Sequence, residues 1–134
     1  APSACDSQEI KIYIALENGL FLYDEKNHQL IQILNQDIRA DLGTQKIMKT
    51  APAGLIYVTD FSKMKSVLFQ DDQQKWLFSV TDTGFISQNV YLYCSAANLN
   101  TVVLGLVDRD KLQNIMGLQE HERVVFTQPV GYSV

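Results

Sequence analysis

The sequence predicts an α+β fold, and three observations carry that prediction. An alternation of apolar and other residues opens the chain, a long proline-free segment with helical spacing occupies its middle, and the surrounding elements show no regular strand-helix-strand alternation. With 134 residues, 46% hydrophobic and 19% charged, residues 1–134 have the size and composition of one compact domain with enough apolar side chains for a core.

Ile10, Ile12, Ile14 and Leu16 alternate with Glu9, Lys11, Tyr13 and Ala15, the period of a strand with one face in the core. Asn18-Gly19 follows, a dipeptide that readily adopts positive φ and so predicts a tight hairpin into Leu20 to Tyr23. Glu25 to His28 turns the chain again into Leu30 to Leu34, completing a three-strand meander. Asp37 to Leu42, closed by Gly43, and Thr44 to Lys49, closed by Ala51-Pro52, read as two short helical pieces.

Leu55 to Val58 is a continuous run of β-formers and predicts a central strand covered on both faces. Across Asp71 to Asn98, Trp76, Val80, Gly84, Ser87, Tyr91 and Cys94 recur at helical spacing, predicting one long helix. A kink is expected near Thr83-Gly84. Further apolar residues lie off that stripe (Leu77, Phe85, Ile86, Val90 and Leu92), so much of the helix circumference is expected to be buried, as in a central or interface helix. Thr101 to Leu106 reads as a strand. Asp108 caps a short helix that carries Leu112, Ile115 and Met116 and ends at Gly117. Arg123 to Thr127 reads as the last strand, stopped by Pro129, with Val130-Gly131-Tyr132 as a tail.

The net charge of −4 and the lack of any Lys/Arg cluster argue against nucleic acid or an anionic membrane as the main partner, because both require a basic footprint. No apolar run approaches the roughly 20 residues needed to cross a bilayer. Cys5 and Cys94 are too few for a disulfide framework and are expected as free thiols, which makes the cytoplasm the default compartment. His28 and His121 stand in polar, turn-like stretches without metal-ligand spacing, so no metal site is expected. Asp71-Asp72 and Asp108-Arg109-Asp110 read as solvated helix starts. Dinucleotide, phosphate-loop, nucleophile-elbow and zinc-protease motifs are all missing, and no local pattern builds a nucleophile beside a base. Composition and spacing alone leave the function undecided.

Four stretches in order go further. Pro2-Ser3-Ala4-Cys5-Asp6-Ser7-Gln8, followed directly by a strand, resembles the Pro-Ser-x-x-Asn-x-Gln segment of the nitroreductase family of FMN-dependent oxidoreductases. Asp82-Thr83-Gly84 with Gln88-Asn89 and Leu92 resembles that family's Asp-x-Gly-x-x-x-Gln-Asn-x-x-Leu pattern. Val102-Val103-Leu104-Gly105 resembles its flavin-flanking strand, and Gln128-Pro129-Val130-Gly131-Tyr132 its Pro-x-Gly-Tyr signature.

The resemblance implies a nitroreductase-like α+β fold, with a central, mostly antiparallel sheet flanked by helices and a long helix at a homodimer interface. It implies FMN in clefts between subunits, NAD(P)H as the co-substrate, and a small electron-poor acceptor such as a nitroaromatic or quinone. The cofactor carries such chemistry while the protein orients and tunes it. Carried over by position, the cofactor-binding residues are Ser3, Asp6 and Gln8 in the opening loop, with Leu104 and Gly105 offering backbone beside the ring. Gly105 would allow close approach because it has no side chain.

Three departures accompany the match. The family's Arg-Arg-Ser-x-Arg-like phosphate-binding segment belongs before the place where this chain starts. Asp6 stands where relatives have Asn, which replaces a donor with a group that only accepts when ionised. Leu104 stands where relatives often have a polar residue. The alternative expectation is therefore a cofactor-free member that keeps the fold as a dimerisation or binding module.

Overall fold

The computed structural model describes residues 1–132. Six strands form one sheet in the order β3-β2-β1-β4-β6-β5, with every neighbouring pair antiparallel. The strands are β1 (Ile10–Leu16), β2 (Gly19–Asp24), β3 (Gln29–Leu34), β4 (Ala53–Asp60), β5 (Leu99–Thr101) and β6 (Glu122–Tyr132). Two α-helices complete the α+β architecture: α1 (Asp72–Ala96) and α2 (Arg109–Met116).

The opening meander follows from its turn chemistry. Gly19 has φ +151, and a Cβ there would collide with the Leu34 carbonyl oxygen, so a side chain would force the hairpin apart. β4 lies between β1 and β6 and is buried along most of its length, as its apolar run predicts. Gly54 admits the Leu42 side chain against the strand, since a Cβ at that position would overlap it.

One face of the sheet carries the apolar core. Tyr13, Ala15, Leu20, Ile56, Val58 and Val124 pack there against Ile38, Leu42, Met48, Leu104, Leu112 and Met116 from the connecting segments and α2. α1 lies on the other face. Asp71 caps it by accepting from the Gln74 amide at 2.8 Å, and Asp108 caps α2 through the Lys111 amide at 3.1 Å. Gly117, at φ +65, ends α2 in the left-handed conformation.

The structure departs from the sequence reading in several places. On β1 the buried side chains are Tyr13 and Ala15, while Ile10, Ile12, Ile14 and Leu16 are only half-buried. The reason is tertiary, because Ile10 and Ile12 line two open clefts, one beside α1 and one over β2. The segments 37–42 and 44–49 yield only single 3₁₀ turns, Arg39–Asp41 and Lys46–Lys49. The strand expected from Thr101 to Leu106 shrinks to β5 plus one isolated bridge between Leu104 and Thr127.

The last strand does not stop at Pro129 but runs to Tyr132. Pro129 is tolerated because its carbonyl faces the β5 side and accepts the Thr101 hydroxyl at 2.8 Å, while β5 ladder pairing starts only at Val130. On α1 the deeply buried positions are Ser79, Asp82, Thr83, Ser87 and Cys94, whereas Gly84 is exposed. The face packed on the sheet is thus small and polar, and Leu77, Phe85, Leu92 and Tyr93 point outward, from 47 to 69% exposed.

Candidate functional site: the cleft under the amino-terminal loop

Residues before β1 fold back over α1 in a tight loop. Cys5, Asp6 and Gln8 all have positive φ (52, 49 and 48), a conformation that costs non-glycine residues energy and persists where surrounding bonds hold it. Those bonds are visible. The Asp6 amide donates to the Ser3 carbonyl and the Ser7 amide to the Ala4 carbonyl, both at 3.1 Å. The Gln8 amide donates to Ser3 Oγ at 3.0 Å, and Gln8 Nε2 donates to Asp6 Oδ1 at 3.0 Å. The Ala4 amide donates to Asp82 Oδ2 on α1 at 3.1 Å, which ties the loop to the helix across 78 positions.

Between loop, strand and helix lies a cleft of about 240 Å³. Ile10, Ile12 and Ile86 supply apolar surface, while Ser3, Gln8, Glu9 and Asn89 bring polar groups to it. Glu9 is fully buried, with its carboxyl against that of Asp82. Burial, followed by a side-chain hydrogen bond shared with Asp82, pushes its pKa up to about 8, so the carboxyl is mostly protonated at neutral pH.

A separate charged cluster holds the strand ends. Lys11 Nζ contacts Glu122 Oε2 at 2.9 Å and Asp60 Oδ2 at 3.3 Å. Burial would raise the Asp60 pKa, but hydrogen bonds from Ser62 and Lys11 outweigh it and hold Asp60 below the usual range. Cys5 and Cys94 are free thiols, the first exposed and the second buried. Among the described residues, no group of three or more His, Cys, Asp or Glu could hold a metal, and no helix is long and apolar enough to cross a membrane.

The residues singled out from sequence separate into two places. Ser3 and Gln8 line the cleft, while Asp6 is exposed behind it and holds the Gln8 amide. Leu104 and Gly105 lie across β4 and β6 from β1, so one chain does not bring them to this cleft. The Leu104 side chain is in the apolar core, and its amide and carbonyl are both bonded to Thr127. Gly105 next to it is exposed, and a Cβ there would meet only the Phe126 ring at an ordinary 3.7 Å.

Sequence reasoning missed Glu9 altogether and quoted Asp82 without giving it a role. Period-2 patterning assigned Glu9 to an ordinary strand position, and nothing local reveals that a helix 70 residues later closes over it. The one available signal was an acid directly after the Pro-Ser loop and directly before four alternating aliphatic residues.

The architecture is that of an antiparallel α+β sheet with one long helix across a face and a strained loop pinned to that helix. Residues 1–132 match the family model described as the Nitroreductase family, and the chain belongs to that family. A crystal structure of a candidate nitroreductase from Ralstonia eutropha JMP134 superposes with a TM-score of 0.91 at 32% identity, covering 100% of this chain and 62% of that one. A candidate nitroreductase of Methanocaldococcus jannaschii is 23% identical over 99% of this chain and 70% of its own length. NADPH:FMN oxidoreductase from Vibrio harveyi, solved with NAD+, shares the fold at a TM-score of 0.68 and 18% identity, covering 98% of this chain and 52% of that one. The chain therefore spans about three-fifths of the Ralstonia protein.

Proposed function

We propose that this chain is part of an FMN-dependent oxidoreductase that takes electrons from NAD(P)H and passes them to a small electron-poor acceptor such as a nitroaromatic or quinone. The observation that carries this reading is the cleft itself. It has isoleucine surface for the face of a planar ring, and Ser3, Gln8 and Asn89 bring polar groups to it.

FMN, when bound, supplies the hydride-accepting and hydride-donating chemistry. The chain's own groups do the positioning. Asp82 fastens the loop at Ala4, Ser3 fixes the Gln8 backbone, and Ile10, Ile12 and Ile86 exclude water from the ring face. Leu104, locked to Thr127, holds Gly105 at the surface, where a second copy of the chain can offer it to the neighbouring cleft. The outward Leu77, Phe85, Leu92 and Tyr93 on α1 supply the apolar area such a homodimer would bury.

The fit is better for the ring than for the phosphate. The cleft lining contains no Lys or Arg. An adjoining hollow of about 360 Å³ shares Gln8, Ile10, Ile12 and Glu25 with it and carries Lys11, Lys26 and Lys63. Lys11 is committed to Asp60 and Glu122, which leaves Lys26 and Lys63 as the nearer cations for an anionic tail.

Incubation with FMN tests the proposal. The purified protein is expected to retain a visible flavin band after desalting, and NADPH or NADH added without oxygen should bleach it. A protein that stays colourless and takes up no FMN would instead fit the cofactor-free binding module.

A further inference from the structure

We propose that β3, at the open edge of the sheet, pairs antiparallel with β3 of a second copy of this chain, about a two-fold axis at Ile31. This surface is separate from α1 and does not depend on the flavin reading.

β3 has β2 on one side and no strand on the other among the described residues. Such an edge presents a row of unpaired N–H and C=O groups, which soluble proteins blunt with charge, proline or a covering segment. β6 shows what such protection looks like. Where β5 does not reach, Gln113 Nε2 donates to the Glu122 carbonyl at 2.8 Å, and the Arg109 guanidinium donates to the Val125 carbonyl at 2.8 and 3.1 Å. Along β3 the comparable bond among the described residues is from Gln32 Nε2 to the carbonyl of Leu34, at the strand's end. Its sequence, Gln29-Leu30-Ile31-Gln32-Ile33-Leu34, holds neither a charge nor a proline, and Leu30, Ile31 and Ile33 are 41 to 45% exposed.

These properties select a second copy as the occupant. A two-fold axis sets a strand against itself, so any charge on it would face a like charge, and β3 has none to repel. The register follows from the ladder with β2, which is regular from Gln29 to Gln32 and then shifts, leaving Ile33 without a β2 partner. An axis at Ile31 keeps the new ladder within the regular stretch. Ile31 then meets its own copy, and Leu30 meets Gln32 in both directions. Facing residues of an antiparallel pair share a sheet face. Ile31 lies opposite Leu22, which packs on the core, so the pairing extends that apolar surface across the axis. Leu30 lies opposite Tyr23 and covers the aliphatic stem of Gln32 on the other face. The symmetry closes at two copies and uses up both open edges.

So short a contact is smaller than the interfaces of stable complexes, and its dissociation constant is expected at roughly 0.1 to 1 mM. At low micromolar concentration β3 is therefore free.

Sedimentation equilibrium on the full chain, from about 10 µM to 1 mM, brackets that constant. The weight-average mass should rise toward about twice its dilute value at the top of the range. Ile31→Lys sets two ammonium groups against each other at the axis and should abolish the rise with the far-UV spectrum unchanged. Thiol cross-linking reads the register without a charged variant. In a Cys5→Ser background, which removes the exposed thiol, Ile31→Cys should form a disulfide between copies under mild oxidation, and Leu30→Cys, which faces Gln32, should do so far more slowly. A mass that stays constant, a rise that Ile31→Lys leaves untouched, or growth past twofold into open-ended oligomers would overturn the pairing. Equal cross-linking at Leu30 and Ile31 would overturn the axis at Ile31.

Discussion

On the α2 side of the sheet, Leu20, Leu42, Ile56 and Leu112 are fully buried among other apolar side chains. Under α1, the buried residues are instead Ser79, Asp82, Thr83 and Ser87, facing Thr59, Tyr57 and Gln128 from the strands. Several of these pair across the layer or within it: Thr59 with Ser79 at 2.7 Å, Tyr57 with Gln128, and the Thr83 hydroxyl with the Ser79 carbonyl at 2.8 Å. Others have no partner among the described residues, namely the Ser87 hydroxyl and the Gln128 amide nitrogen.

The contrast assigns different work to the two faces. Apolar burial on the α2 side drives folding, because each fully buried aliphatic side chain contributes roughly 1.5–3 kcal/mol. The α1 side gives up part of that gain to buried polar groups that bond mostly to one another. α1 also lacks the sidedness of an ordinary amphipathic helix, with small and polar residues toward the sheet and Leu77, Phe85, Leu92 and Tyr93 exposed among polar ones on its outer surface.

Breaking the apolar face should have the largest effect. Leu42→Ala removes a fully buried side chain that fills the space over Gly54, and is expected to cost about 2–5 kcal/mol in urea unfolding. A smaller loss would mean that the loop carrying Leu42 collapses into the gap. On the other side, Phe85→Glu combined with Leu92→Glu should leave the far-UV spectrum and the protomer's fold intact while converting the proposed homodimer to monomer in sedimentation velocity. A dimer that persists would place the interface elsewhere. The smallest effect is expected at Ser87→Ala, which deletes a buried hydroxyl that bonds nothing among the described residues. It should be neutral or slightly stabilising, within about 1 kcal/mol by the same unfolding measurement.

Local chemistry explains which parts of the fold the sequence revealed. Asp71, Asp108 and Gly117 act through bonds or dihedral angles within a few residues, and each does in the structure what its residue type predicts. The hairpin expected at Asn18-Gly19 forms one residue earlier: Glu17 and Asn18 make the turn, Asn18 does not take positive φ, and Gly19 pairs with Leu16 as the first residue of β2. The misreadings all depend on distant partners. Pro129 stays in β6 because β5 needs no amide there, and Ile10 and Ile12 are half-open because α1 leaves a cleft beside them. The stripe chosen for α1 held Ser87 and Cys94, which are buried, but also Gly84 and Trp76, whereas the sheet selected Ser79 and Thr83 in their place, since small side chains let the helix approach closely. In the candidate site, the loop was visible through its motif, and Ser3 and Gln8 do line the cleft. Glu9 was not visible, because its burial is created by Asp82 and a loop that folds back over 78 positions of sequence.

The central claim is that the α1 side forms a ring-binding slot from the amino-terminal loop of one copy and Gly105 of another. Mixing two defective variants tests it most directly. Gly105→Val adds bulk at an exposed position with room beside Phe126, and Asn89→Trp fills the cleft from α1. Neither variant alone should bind FMN. After the two are unfolded together and refolded, mixed dimers should regain flavin at one of their two slots, because one intact loop then meets one intact Gly105. A mixture that remains colourless, with mixed dimers verified by mass spectrometry, would contradict a slot shared between subunits.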